Sequence, residues 1–103
     1  MKKNIFLQEL KTLLINKFPG IIDKVILFGS QIKGKTDSDY DILVVLKTNY
    51  DWKLENKIID ACFNIDLKYD ILTDIKVVSN NELNLPSIQE PFIEQAIKYG
   101  IAV

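Results

Sequence analysis

"LFGSQIKGKTDSDYDILVVL" (residues 27–46) places two apolar runs around a polar segment that opens on Gly29-Ser30 and closes on Asp39 and Asp41. Side chains along a strand alternate between faces. Leu43 and Val45 therefore share a face with the two aspartates, while Ile42, Val44 and Leu46 take the other. Apolar residues on both faces mark a strand covered on both sides, hence one in the interior of a sheet. Carboxylates beside such a strand are costly unless something compensates for them.

Working outward, residues 24–29 form a short strand candidate before this stretch, and residues 38–46 a second within it. Residues 4–18 carry Phe6, Leu10, Leu13 and Leu14 near helical spacing, with Lys11 and Asn16 outside. Pro19-Gly20 ends that helix. Asn49 or Asp51 can cap a helix over residues 52–67, with Ile58, Ile59, Cys62 and Ile65 inward. "YDILTDIKVVS" predicts a third strand, with Ile71, Thr73, Ile75 and Val77 on one face and Leu72, Asp74, Lys76 and Val78 on the other. "NNELNLPSIQ" reads as loop, and residues 90–99 as a last helix with Pro91 in its first turn and Gly100 as its stop. The order α-β-β-α-β-α, with or without a terminal strand at 101–103, predicts an α/β (α+β) fold: a small mixed sheet flanked by helices.

The chain has 103 residues, a length that predicts one domain over residues 1–103 with one modest core. No apolar run approaches the roughly 20 residues that span a bilayer. The N-terminal apolar residues are interrupted by Gln8, Glu9 and Lys11, the pattern of an amphipathic helix rather than of a signal peptide, so a cytoplasmic location is expected. A net charge of −1 and a pI of about 5.3 argue against direct nucleic-acid binding, which needs clustered cations. The chain has no histidine, which excludes an imidazole base and every His-ligated metal site. Its single cysteine, Cys62, is expected in the core of a helix.

What remains is carboxylate, hydroxyl, lysine and backbone chemistry. Asp39 and Asp41, two apart on one strand face, can converge on one cation. Asp74, on the polar face of the third strand, can complete a site of hard oxygens, which suits Mg²⁺ or Mn²⁺. Two such ions over one acidic patch is the arrangement for in-line displacement at phosphorus. Gly29 allows close approach of a ligand, Ser30 offers a hydroxyl and an N–H, and Lys33 and Lys35 supply cations for the same polyanion. Taken singly, each feature is better explained by a turn or a solvated surface. Their joint order along the chain points to nucleotide chemistry.

"FGSQIKG" followed by "DSDYDILVVL" resembles the signature of the DNA polymerase beta-like nucleotidyltransferases, and within them the minimal nucleotidyltransferases (MNT) that act as antitoxins. "TDIKVVSNNEL" is similar to their third-acid strand, and "EPFIEQAIKYGIAV" to their closing helix. The resemblance implies that Gly29 and Ser30 bind the triphosphate, that Asp39 and Asp41 hold two metal ions, and that Asp74 activates the acceptor hydroxyl. It implies transfer of a nucleoside monophosphate, AMP from ATP, to a partner: a helical HEPN-domain toxin. Two departures stand out. Eight residues separate Ser30 from Asp39 where the family has about ten, and Lys33 replaces the family's arginine without its planar fork. They keep a second reading open, in which the chain is a binding module that neutralises such a partner by occlusion.

Overall fold

The computed structural model describes residues 2–28, 40–83 and 91–103. The elements run α1 (Lys2–Lys17), β1 (Ile22–Phe28), β2 (Tyr40–Leu46), α2 (Trp52–Tyr69), β3 (Thr73–Ser79), α3 (Asn80–Leu83), α4 (Pro91–Tyr99) and β4 (Ile101–Ala102). The four strands form one mixed sheet in the order β3-β2-β1-β4. β1 is antiparallel to both β2 and β4, whereas β2 and β3 are parallel, joined through α2.

The two-faced apolar pattern of residues 42–46 does what it predicts. β2 is interior, and all five residues are fully buried. Ile42, Val44 and Leu46, with Val25 and Leu27 of β1, pack on Phe6, Leu7, Leu10 and Leu14 of α1 and on Ile58, Ala61, Cys62 and Ile65 of α2. Leu43 and Val45, with Ile26, Phe28 and Val78, pack on Ile93 and Ala96 of α4. Helices thus cover both faces, and burying each large aliphatic side chain between them is worth about 1.5–3 kcal/mol.

Local chemistry sets the element ends. Gly20, at φ 77°, takes the left-handed conformation that stops α1. The Asp51 side chain accepts from Leu54 N at 3.0 Å and caps α2, the second of the two cap candidates. α2 runs two residues beyond the expected end, to Tyr69, and stops at Asp70 in the left-handed region. Across the α1–α2 seam, Glu9 accepts from Lys68 Nζ at 2.7 Å and from the Tyr69 hydroxyl at 2.5 Å. Both bonds hold the Glu9 carboxyl below its usual range.

Several expectations shift. β1 begins at Ile22 rather than at 24, because a register irregularity between Ile22 and Lys24 breaks the alternation that marks a strand. The expected start of β2 at 38, Gly29 at the end of β1, and Glu90 at the head of α4 lie outside the described residues. Ile59 is 38% exposed rather than inward, since its neighbour Ile58 takes the buried face and Ala61 fills the next turn. Leu7 joins the core and Leu13 is only half-buried. Lys11 does not stand free outside α1: its ammonium donates to the backbone carbonyl of Val103. Residues 80–83, expected as loop, form one helical turn held by a capping box. Ser79 Oγ accepts from Glu82 N at 3.2 Å, and Glu82 Oε1 accepts from Ser79 N at 2.9 Å. The terminal strand is present as β4.

Cys62 is fully buried, and its thiol is pushed up to about 12, by burial first and by the Asp66 carboxylate second. A thiol so placed reacts only when the chain opens. Native protein at pH 8 should therefore take up maleimide at least about a hundredfold more slowly than protein in denaturant. Fast labelling of the native chain would show that α2 does not rest on the sheet as described.

Candidate active site

Asp41 is the second residue of β2 and Asp74 the second of β3. The parallel register pairs them directly, Asp41 with Asp74, between the pairs Tyr40–Thr73 and Ile42–Ile75. Strands so paired run about 4.8 Å apart, and register neighbours point to the same side. That side is the α4 face, because Leu43 and Val45 of β2 and Val78 of β3 follow the two acids into the α4 cluster. Tyr40 points the other way, with its ring 4.7 Å from that of Phe6 in an edge-on contact. It is a packing residue, as its alternation predicts.

On the other flank of β2, Asp41 is paired with Phe28, the last residue of β1. Gly29, Ser30, Lys33 and Asp39, the other expected site residues, lie outside the described residues.

Both acids are half-buried. The Asp74 side chain is 47% exposed, and its Oδ1 lies 3.6 Å from the Lys76 ammonium, a long ion pair at an open surface. Two carboxylates one strand apart repel each other, and a cation between them relieves that repulsion. Their donor set, oxygen only and half-exposed, suits Mg²⁺ or Mn²⁺. Among the described residues no group of three or more such ligands gathers, and Asp39 is not one of those residues. Asp41 and Asp74 would be the described residues to hold a metal ion.

One residue behind the site, on the opposite face of the sheet, was not singled out from the sequence. Asp66 of α2 is only 7% exposed, and its carboxylate accepts from Thr73, the residue before Asp74. The signal was present: Asp66 lies four residues after Cys62 and eight after Ile58, on the inward side of the helix. An acid on a buried helix face needs a donor.

Residues 8–103 match the profile of the family described as Polymerase beta, Nucleotidyltransferase. A candidate protein adenylyltransferase of Methanocaldococcus jannaschii is 34% identical over 100 residues, covering 95% of this chain and 91% of the relative. Among solved structures, a toxin–antitoxin with AMP-PNP superposes with a TM-score of 0.60 at 20% identity, over 92% of this chain and 69% of that one. The Shewanella oneidensis complex of a tri-AMPylated HEPN toxin with its MNT antitoxin also gives a TM-score of 0.60, at 17% identity, over 96% of this chain and 69% of that one. At such identities these two likenesses speak for the fold alone, and the fold is the same. No helix among the described residues is long and apolar enough to cross a membrane. With a family match over nearly its whole length and a paired Asp41–Asp74 on one sheet face, this chain belongs to the polymerase beta nucleotidyltransferase family, as an adenylyltransferase-like enzyme.

Proposed function

We propose that the chain transfers AMP from ATP to a hydroxyl of a helical HEPN-type toxin, with Mg²⁺ or Mn²⁺ held by Asp39, Asp41 and Asp74, and so serves as the antitoxin of a toxin–antitoxin pair. The observation that carries this reading is the direct register pairing of Asp41 with Asp74 on one face of the sheet. The names of the relatives lend it support: the archaeal protein is a candidate protein adenylyltransferase, and the neighbours in fold include an antitoxin bound to an AMPylated toxin.

In this reading Gly29, Ser30 and Lys33 hold the triphosphate, and Asp74 takes the proton of the acceptor hydroxyl. The acceptor oxygen bonds to the α-phosphorus as the bond to the departing pyrophosphate breaks. The metal supplies charge neutralisation on the phosphates and in-line alignment when bound. The chain's own part is placement: a proton acceptor on β3 one strand away from the carboxylate on β2.

Mass spectrometry of the toxin after incubation with ATP, Mg²⁺ and this chain tests the proposal. The expected result is a gain of one or a few AMP groups, lost on chelation and lost with the Asp39→Asn/Asp41→Asn double variant. The shortened segment between Ser30 and Asp39, with Lys33 in place of arginine, favours the occlusion reading. Toxin inhibited at unchanged mass, equally by the parent chain and the double variant, would leave only that reading.

A further inference from the structure

The turn from α2 into β3 is held by one buried carboxylate. Asp66 Oδ1 accepts from Thr73 Oγ1 at 2.7 Å, and Oδ2 accepts from Thr73 N at 3.2 Å. The backbone carbonyl of the same residue accepts from Ile71 N at 3.0 Å and from the Asp70 N–H that closes the helix. Next along the chain, Leu72 O accepts from Tyr40 N at 2.9 Å, which ties the start of β3 to the start of β2. A buried carboxylate that spends both oxygens on one residue fixes that residue's backbone and its side-chain rotamer together. Thr73 is the residue immediately before Asp74.

From this geometry we infer that Asp66 and Thr73 form a clamp that positions Asp74 for the transfer step. The inference rests on the reading of Asp74 as the proton acceptor. Along a strand, a slip of one residue sends every side chain to the opposite face. Thr73 held at the head of β3 keeps Asp74 on the α4 face and in register with Asp41. Asp66 and Thr73 point to the α1–α2 side and touch no reacting group, so they are positioning residues. A bond at this junction stabilises the turn wherever it falls. This one acts on the residue next to the acid.

The test combines hydrogen exchange with kinetics. In Asp66→Ala both bonds to Thr73 are lost, because no acceptor then stands opposite its N–H and its hydroxyl. The amides of Thr73 and Asp74 should then exchange about tenfold faster while those of Val44 and Val45 are unchanged. Thr73→Val, similar in shape and lacking the hydroxyl, should lower kcat for AMP transfer to the HEPN-type toxin by about tenfold or more, with KM for ATP within about twofold. Thr73→Ser should restore most of that loss. Thr73→Ala carries the same expectation as Thr73→Val and replaces it if the valine form does not fold. In an Asp74→Asn background, Thr73→Val should have no further effect, since the clamp acts only through Asp74. A Thr73→Val variant that melts lower yet keeps its kcat overturns the clamp, as does an undiminished effect in the Asp74→Asn background. Asp74→Asn at full turnover overturns the reading of Asp74, and the clamp with it.

Discussion

Asp41→Asn should lower AMP transfer by about a hundred- to a thousandfold, the scale of losing one charged group that acts on the transition state, in a chain that melts at or above the parent temperature. The two halves of this expectation have one cause. Asp41 is half-buried and directly paired with Asp74, so two like charges face each other across neighbouring strands. In the proposed reading the transfer needs both charges, whereas the fold rests on the burial of residues 42–46. Asparagine keeps the shape and removes the charge, which eases the repulsion and takes away a metal ligand. The residues that follow Asp41 into the core are untouched, and their burial holds the strand in place. Labelled nucleotide transfer in the presence of Mg²⁺, read beside a thermal melt, checks both halves. An Asp41→Asn chain that unfolds would make the residue structural. One that transfers at the parental rate would place the metal site elsewhere.

Gly100→Ala should destabilise the fold by about 1–3 kcal/mol, the range for overpacking a filled site. A Cβ at Gly100 would stand 2.3 Å from the Ala96 carbonyl oxygen and 2.4 Å from Ile26 Cγ2. The first neighbour is helix backbone and cannot turn aside. That same oxygen accepts from Gly100 N at 2.9 Å to close α4, so a shift breaks the stop as well. The conflict is one of space, because the positive-φ glycine of the described chain is Gly20 and not Gly100. In a domain of this size each kcal/mol moves the melting temperature by about 4–8 °C. Ile26→Ala added to Gly100→Ala should not restore the parental melt, since the Ala96 oxygen remains. Full restoration would show that the side chain alone sets the limit.

The sheet was legible because its central strand carries a signal on both faces. Residues 42–46 can be satisfied only with cover above and below, and α1 with α2 on one side and α4 on the other provide it. Asp74 was legible for a similar reason: it begins the polar face of a strand whose other face, Ile75 and Val77, packs inward. Features that depend on one irregular residue were not. The irregularity at Ile22–Lys24 hides the first turn of β1, and one turn of helix at Asn80–Leu83 is too short to show a period. The tie from Lys11 to Val103 joins opposite ends of the chain, which no local pattern can announce. Asp66 read as a polar interruption near a helix end, because its donor lies in the next element. The expected phosphate-binding residues Gly29, Ser30 and Lys33, together with Asp39, rest on the sequence motif alone and lie outside the described residues.

β4 pairs Ala102 with Ile26 and Ile101 with Leu27, so part of the outer edge of β1 is covered by residues made long after it. During vectorial synthesis β1 and β2 can pair early, while that edge of β1 stays open until residues 101 and 102 have been made. An uncovered strand edge is a template for pairing with other chains. Contacts that close late and over long sequence separation also slow folding. Nascent chains of this protein therefore carry an open β1 edge for a period, which shortens once the two-residue strand pairs with Ile26 and Leu27.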